Sequence, residues 1–238
     1  MAASVERRRV LEGVFLGSAG LGWALANTLS AQEVGKVSRE KKITIVGVSC
    51  SPRPGKTTAQ GLKYVLEAAK GVAPDRIETV LIELAGLRIP VEPALGLPLL
   101  PGDRDDFPQV AEQIASPQVR ALIVGSPVHY GNMSTLCKAF LDRLGQFRKE
   151  FVLSGRLAGA LAVGAARNGG QEYVLESIHR TLLCHEMMIV GDGRPTGHFG
   201  ATLWNPGTDD ISGDEIGIKT AQNLGRHIAT LALRCNSR

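Results

Sequence analysis

Long apolar runs, aromatic side chains and clustered cysteines are all scarce in this chain. The apolar stretch from Val14 to Ala26 is too short and too rich in Gly and Ala for a comfortable membrane span. Phe, Trp and Tyr together make up 5% of the 238 residues, so an aromatic in a loop is informative. Cys50, Cys137, Cys184 and Cys235 stand far apart with no C-x-x-C pair. Structural zinc and cubane clusters need grouped thiolates, so no metal site is expected. A disulfide framework is not expected either, and buried thiols are the plain reading of Cys50 and Cys137. Outside the N-terminus no Lys/Arg run is long enough to suggest a nucleic-acid face, and the net charge is a modest +4.

What remains is an ordinary globular composition, 44% hydrophobic and 21% charged, in a chain long enough for one domain with a proper core. The first thirty residues read differently. Arg7, Arg8 and Arg9 precede a short apolar stretch that exits through small residues at Ala24-Leu25-Ala26 and Leu29-Ser30-Ala31. A positive start, a short apolar middle and a small-residue exit resemble a twin-arginine export signal over residues 1–31 and imply a periplasmic location. An amphipathic N-terminal helix of a cytoplasmic protein is the alternative. Residues 32–238 are then the folded domain.

From Lys41 onward, strand and helix patterns alternate. Ile43 to Val48 reads as a buried strand, followed by a helix from Thr57 to Lys70 and a second strand from Ile77 to Leu84. The stretch 85–105 is rich in proline and glycine and reads as an extended excursion, with a helix from Asp106 after it. Ala121 to Gly125, Leu157 to Ala166 and Met187 to Val190 supply three further strands. Helices over 136–147, 172–183 and 214–233 separate and follow them. Five apolar strands interleaved with helices predict an α/β fold with a doubly wound, five-stranded parallel sheet, with ligands outside the carboxyl ends of its strands.

Two loops at that edge carry chemistry. Ser51-Pro52-Arg53-Pro54-Gly55-Lys56-Thr57-Thr58 puts hydroxyls, a glycine and two cations at a helix N-terminus, a setting suited to a phosphate dianion. Gly55-Lys56-Thr57 matches the end of a P-loop, but the first glycine of that motif would fall on Cys50. The third strand also ends in Gly125-Ser126-Pro127 rather than in a Mg²⁺-binding Asp, so the NTPase reading fails. The second loop, Gly125 to Ser134, holds the adjacent aromatics His129 and Tyr130 in a tight turn with Pro127, Gly131 and Asn132. Backbone donors beside planar side chains suit an isoalloxazine ring.

The pattern S-P-R-x-G-x-T followed by G-S-P-V-x-Y-G-N-M-S resembles the flavodoxin-like NADPH-dependent FMN reductases, a group that includes the iron–sulfur flavoproteins. Gly164 to Glu172 is similar to the second flavin loop of that family, and His185 to Asp192 to the segment before its last strand. The resemblance implies that Ser51, Arg53, Gly55, Thr57 and Thr58 hold the phosphate of FMN. It implies further that Pro127, Val128, Tyr130, Gly131, Asn132 and Met133 line the ring, with Ala165, Arg167, Gly169 and Gly170 closing its other side. Residues 85–105 lack the cysteines of the iron–sulfur members, so FMN is expected as the single redox centre. Cys184 and Glu186 depart from the family pattern and are expected near the inner pocket.

The implied activity moves electrons from NAD(P)H through FMN to a small acceptor such as a quinone, a flavin or a ferric chelate. The flavin does the chemistry, so no catalytic acid or base is required. His129, Tyr130 and Arg167 are candidates for tuning the ring or meeting the second substrate, while a solvent-facing loop residue is the alternative reading of His129. The resemblance also implies a homodimer or homotetramer. A flavodoxin-type carrier without nicotinamide activity is the competing function, and the basic charge counts against it. A non-catalytic flavin-binding module is the third reading.

Overall fold

The computed structural model describes residues 42–236. The export-signal reading of residues 1–31 lies outside them. The chain runs through β1 (Ile43–Ser49), α1 (Thr57–Val72), β2 (Ile77–Glu83), α2 (Phe107–Ala115) and β3 (Val119–His129). It continues through β4 (Asn132–Met133), α3 (Thr135–Arg143), β5 (Leu157–Gly164) and α4 (Gln171–Leu183). Two short strands, β6 (Met188–Ile189) and β7 (Ala201–Trp204), precede the closing helix α5 (Glu215–Asn236).

The sheet order is β2-β1-β3-β5-β6, with β7 also on β5 and every pair parallel except the β3–β4 hairpin. Both faces are covered, which is why the strands read as continuous apolar runs rather than as alternation. On one face Ile43, Ile45, Ile123, Leu161 and Val163 pack with Leu62, Val65, Leu224 and Ile228 of α1 and α5. On the other, Val46, Val48, Leu122 and Val124 pack with Phe107, Phe140, Val174 and Leu182 of α2, α3 and α4. Small residues set the spacing. A Cβ on Gly159 would meet Ile228 at 2.7 Å, and one on Gly225 would sit 2.1 Å from the Val65 carbonyl oxygen where α5 crosses α1.

The 85–105 excursion is a proline-stiffened loop clasped at its base. Arg143, 5% exposed, donates to both carboxylate oxygens of Asp105 and to the Pro90 carbonyl, and lies 4.6 Å from the Phe107 ring centroid. Burial alone would raise the Asp105 pKa. The bonds from Arg143 and the Phe107 amide reverse that and leave it below the ordinary carboxylate value.

Two expectations need correction. The fifth strand is not the single segment 187–190. Its two halves, β6 and β7, pair with the lower and upper halves of β5, and residues 190–200 leave the sheet edge between them. Four glycines and Pro195 break the run, and Asp192, fully buried, ties the excursion together by accepting from the Thr196 hydroxyl and the His198 amide. Ala201–Trp204 is too short to show a period of its own. Second, Cys184 and Glu186 do not lie near the inner pocket. Met188 pairs with Leu157, the first residue of β5, so the 184–186 turn sits at the amino ends of the strands. There Glu186 accepts from Ser154, while its carbonyl takes the Gly155 amide. Parallel strands put the phosphate and ring loops at the opposite edge.

The Gly225→Ala variant is expected to lose about 1–3 kcal/mol despite the better helix propensity of alanine, because the backbone of α1 must move. Gly71→Ala, where a Cβ meets nothing within 4 Å, should gain a few tenths to about 1 kcal/mol. Urea midpoints at fixed FMN concentration check both. Burial lowers the His179 pKa to about 4, with its Nε2 unpartnered. The unfolded chain therefore binds the extra proton first, and stability falls as pH drops from about 6.5 toward 4. In His179→Leu that part of the decline should vanish in urea titrations at pH 7 and pH 5.

Candidate functional site

Four loops leave the carboxyl ends of the central strands: 50–56 after β1, 130–131 between β3 and β4, 165–170 after β5, and 205–214 after β7. The first two start from hydrogen-bonded neighbours. Ser49 is in register with Gly125, and the Cys50 amide donates to the Gly125 carbonyl at 2.8 Å. Adjacent strands lie roughly 5 Å apart, so the phosphate loop and the ring turn emerge side by side, within reach of one mononucleotide.

Ser134 holds them together. Its buried hydroxyl donates to the Cys50 carbonyl at 2.7 Å and accepts from the Cys137 amide at 3.0 Å, capping α3. Its own amide donates to Ser126 Oγ at 2.9 Å. Beneath this junction the Cys50 thiol is fully buried, and burial with the neighbouring Cys137 raises its pKa well above the ordinary value. All four cysteines are free thiols.

In the first loop Ser51 Oγ accepts from the Arg53 amide at 3.1 Å, and Gly55 takes a φ of +66°. The two cations there converge on an anion of the chain's own. Arg53 reaches Asp209 Oδ1 at 2.7 Å, and Lys56 reaches Oδ2 at 3.4 Å. The Arg53 hydrogen bond holds the Asp209 carboxyl below its usual range. A second carboxylate, Glu83 at the end of β2, accepts from the Gly55 amide at 2.7 Å. Thr57 and Thr58 open α1, and the buried Thr58 hydroxyl has no hydrogen-bond partner among the described residues. A loop that already grips one carboxylate with two cations, beside an orphaned hydroxyl at a helix N-terminus, has the donor set for a phosphate.

The ring turn is more regular than expected. His129 pairs with Asn132 and Val128 with Met133, and Tyr130 and Gly131 bridge them at φ +51° and +75°. That is a two-residue hairpin turn with both central residues left-handed. Pro127 and Val128 therefore lie on β3, while Asn132 and Met133 lie on β4. Tyr130 stands fully exposed at the tip, and His129 is exposed beside it.

The 165–170 loop abuts this hairpin. A Cβ on Gly170 would lie 3.3 Å from Gly131 Cα and 3.6 Å from Val128 Cγ1. Gln171, buried at the start of α4, braces the loop by donating to the Ala166 and Leu203 carbonyls and accepting from the Gly169 amide. Arg167 is not a free cation. Its guanidinium pairs with the buried Asp214 and lies over the Trp204 ring, whose Nε1 donates to the Ala165 carbonyl at 3.1 Å. The structure thus brings the loops of all fifteen candidate cofactor residues to one edge.

Reading the sequence missed Asp209, Glu83, Gln171, Trp204 and the exposed Tyr173, whose Cδ2 would lie 3.9 Å from a Cβ on Gly170. The chain has only two tryptophans, so Trp204, at the end of β7, was the one detectable signal. Asp209 and Glu83 reach the phosphate loop across 156 and 28 residues, and no local pattern reports that.

Strand order, loop placement and an anion-gripping first loop define a flavodoxin-like nucleotide-binding protein. The family model for NADPH-dependent FMN reductases matches residues 43–201, and the chain belongs to that family and binds FMN. It is 37% identical over 191 residues to an iron–sulfur flavoprotein of Methanocaldococcus jannaschii, covering 78% of this chain and 95% of the relative. An iron–sulfur flavoprotein of Methanosarcina thermophila is 34% identical, with 76% and 92% covered. An NAD(P)H dehydrogenase (quinone) of Chromohalobacter salexigens is 34% identical over 129 residues, 48% of this chain and 63% of that one.

Among solved structures, RosB superposes with a TM-score of 0.62 at 17% identity, covering 82% of this chain and 81% of that one. A WrbA-like flavodoxin from Agrobacterium tumefaciens gives 0.53 at 17% identity, with 82% and 99% covered. Both agree with the fold. The residues present do not fit an iron–sulfur cluster. Cys50 and Cys137 are buried, Cys184 and Cys235 are exposed, and no group of three metal-ligating side chains occurs among the described residues.

Arg53→Ala is expected to weaken FMN binding about tenfold, the scale of one lost charge-assisted bond, while riboflavin affinity stays unchanged. Asp209→Asn removes a carboxylate that competes for the same cations and should tighten FMN. Flavin-fluorescence titration with both ligands reads the two effects.

Proposed function

We propose that this FMN-dependent oxidoreductase takes electrons from NAD(P)H and delivers them to a small acceptor, a quinone, a free flavin or a ferric chelate. The observation that carries the reading is the exposed hairpin tip beside the phosphate loop. Ser51, Arg53, Gly55, Thr57 and Thr58 would anchor the phosphate. Pro127, Val128, Gly131, Asn132 and Met133 would line one side of the ring, and Ala165, Gly169 and Gly170 the other. Bound FMN supplies the two-electron chemistry, accepting from the nicotinamide and giving to the acceptor.

The protein's share is positioning. The register of β1 with β3 sets the distance from phosphate to ring. Gly170 lets the second loop approach the hairpin without a side chain between them. Arg167 ties that loop to Asp214 and to the Trp204 ring. Tyr130, Tyr173 and His129 remain exposed at the mouth, where flat side chains can meet a nicotinamide or a quinone ring. A net charge of +4 suits anionic nucleotides better than docking of a basic redox protein. The family of the matched model and the quinone dehydrogenase among the relatives support the same direction. Residues 1–31 are proposed to export the loaded protein, which signal-deleted and full-length chains would distinguish by cell fractionation.

Anaerobic mixing of the FMN-loaded protein with NADPH or NADH should bleach the flavin band near ~450 nm at a rate on the order of 1–100 s⁻¹. Added quinone should restore the band. Retention of colour after mixing with both nucleotides would leave an electron carrier in place of a reductase.

A further inference from the structure

The excursion between β6 and β7 and the second half of α5 enclose a groove of about 590 Å³. Arg194, Asn223, Arg226, His227, Thr230 and Arg234 line it, and among the described residues no acidic side chain does. We propose that this groove is a second anion site, separate from the flavin, that takes a pyrophosphate-class anion.

Three arguments support it. The first is spacing. Residues 223, 226, 227, 230 and 234 fall at i, i+3, i+4, i+7 and i+11, which is one face of a helix. The neighbouring faces of α5 are spent on the core through Leu224, Ile228 and Ala232, so this polar face is turned wholly to the groove.

The second is unspent charge. Among the described residues Arg194 and Arg234 have no ionic partner, and the Arg226 guanidinium donates there to the neutral amide of Asn223. Cations near a helix C-terminus are favoured by its dipole, which accounts for Arg234. It does not account for Arg226, more than two turns earlier, nor for Arg194, which comes from another element and faces the same space.

The third is preorganisation. The wall opposite α5 is held from within by the buried Asp192, and Asn223 ties α5 to that wall by donating to Thr196 Oγ1 at 2.9 Å. His227 Nδ1 lies 3.0 Å from the Gly191 carbonyl, and a Cβ on Gly193 would come within 2.8 Å of that ring. Backbone and helix therefore stand at a fixed separation before any ligand arrives. The volume lies in the range of small-molecule sites, and three guanidinium forks suit phosphate oxygens.

The groove is distinct from the phosphate loop. Asn223 to Arg234 lie 8 to 19 residues beyond Glu215, so at the helical rise they are roughly 12–28 Å down α5 from the carboxyl edge.

Calorimetric titration of pyrophosphate into the FMN-saturated full-length protein tests the site, because the flavin phosphate then fills the other loop. The expected result is single-site binding with a Kd of about 0.01–1 mM, and a loss of about tenfold or more in Arg194→Gln/Arg234→Gln. The flavin spectrum should be the same in both proteins. Absence of saturable heat up to ~10 mM ligand, or equal affinity in the double variant, would overturn the proposal.

Discussion

The site depends on the Ser134 hydroxyl. By bonding the Cys50 carbonyl and the Cys137 amide at once, it fastens the end of β1 to the start of α3, with the β3–β4 hairpin held between them. Phosphate and ring of one mononucleotide are a fixed distance apart, so the two loops that would grip them must also be at a fixed distance. A parallel ladder in register at Ser49 and Gly125 provides the coarse spacing, and the buried hydroxyl provides the fine one. In a low-dielectric junction such a doubly used hydroxyl is costly to lose, because both backbone groups would be left unpaired.

From that junction, contacts run round the carboxyl edge. Cys50 connects to Ser134, Gly131 touches Gly170, Ala165 is held by Trp204, and Arg53 meets Asp209. Each loop is therefore positioned by its neighbours rather than by its own sequence. The Asp209 contact is the telling one. The two cations of the first loop bring a carboxylate of the same chain with them, so they do not face one another unneutralised, and a phosphate bound there would replace one anion with another.

The split last strand has a comparable logic. Leaving the edge after Ile189 and returning at Ala201 keeps β5 paired along both halves while raising a polar excursion over α5. The edge is thereby shortened into two brief segments, a common protection for a terminal strand, and the space beneath the excursion becomes the basic groove.

Much of this was legible in residue order. Strands buried on both faces are continuous apolar runs, and hydroxyls, glycine and cations at a helix start announce an anion site, because those signals are local. The type of the β3–β4 turn was half legible. Tyr130-Gly131 marked a turn, but a regular hairpin needs the pairing of His129 with Asn132. Illegible were Asp209 and Glu83 on the phosphate loop, the commitment of Arg167 to Asp214, and the position of Cys184 and Glu186 at the far edge. The amino-acid order by itself determined which segments become strands and helices and which loop chemistry they carry, since periodicity and capping act over a few residues. Only the tertiary structure decided which charges neutralise which, because ion pairs form between groups that chain topology, not proximity in sequence, brings together.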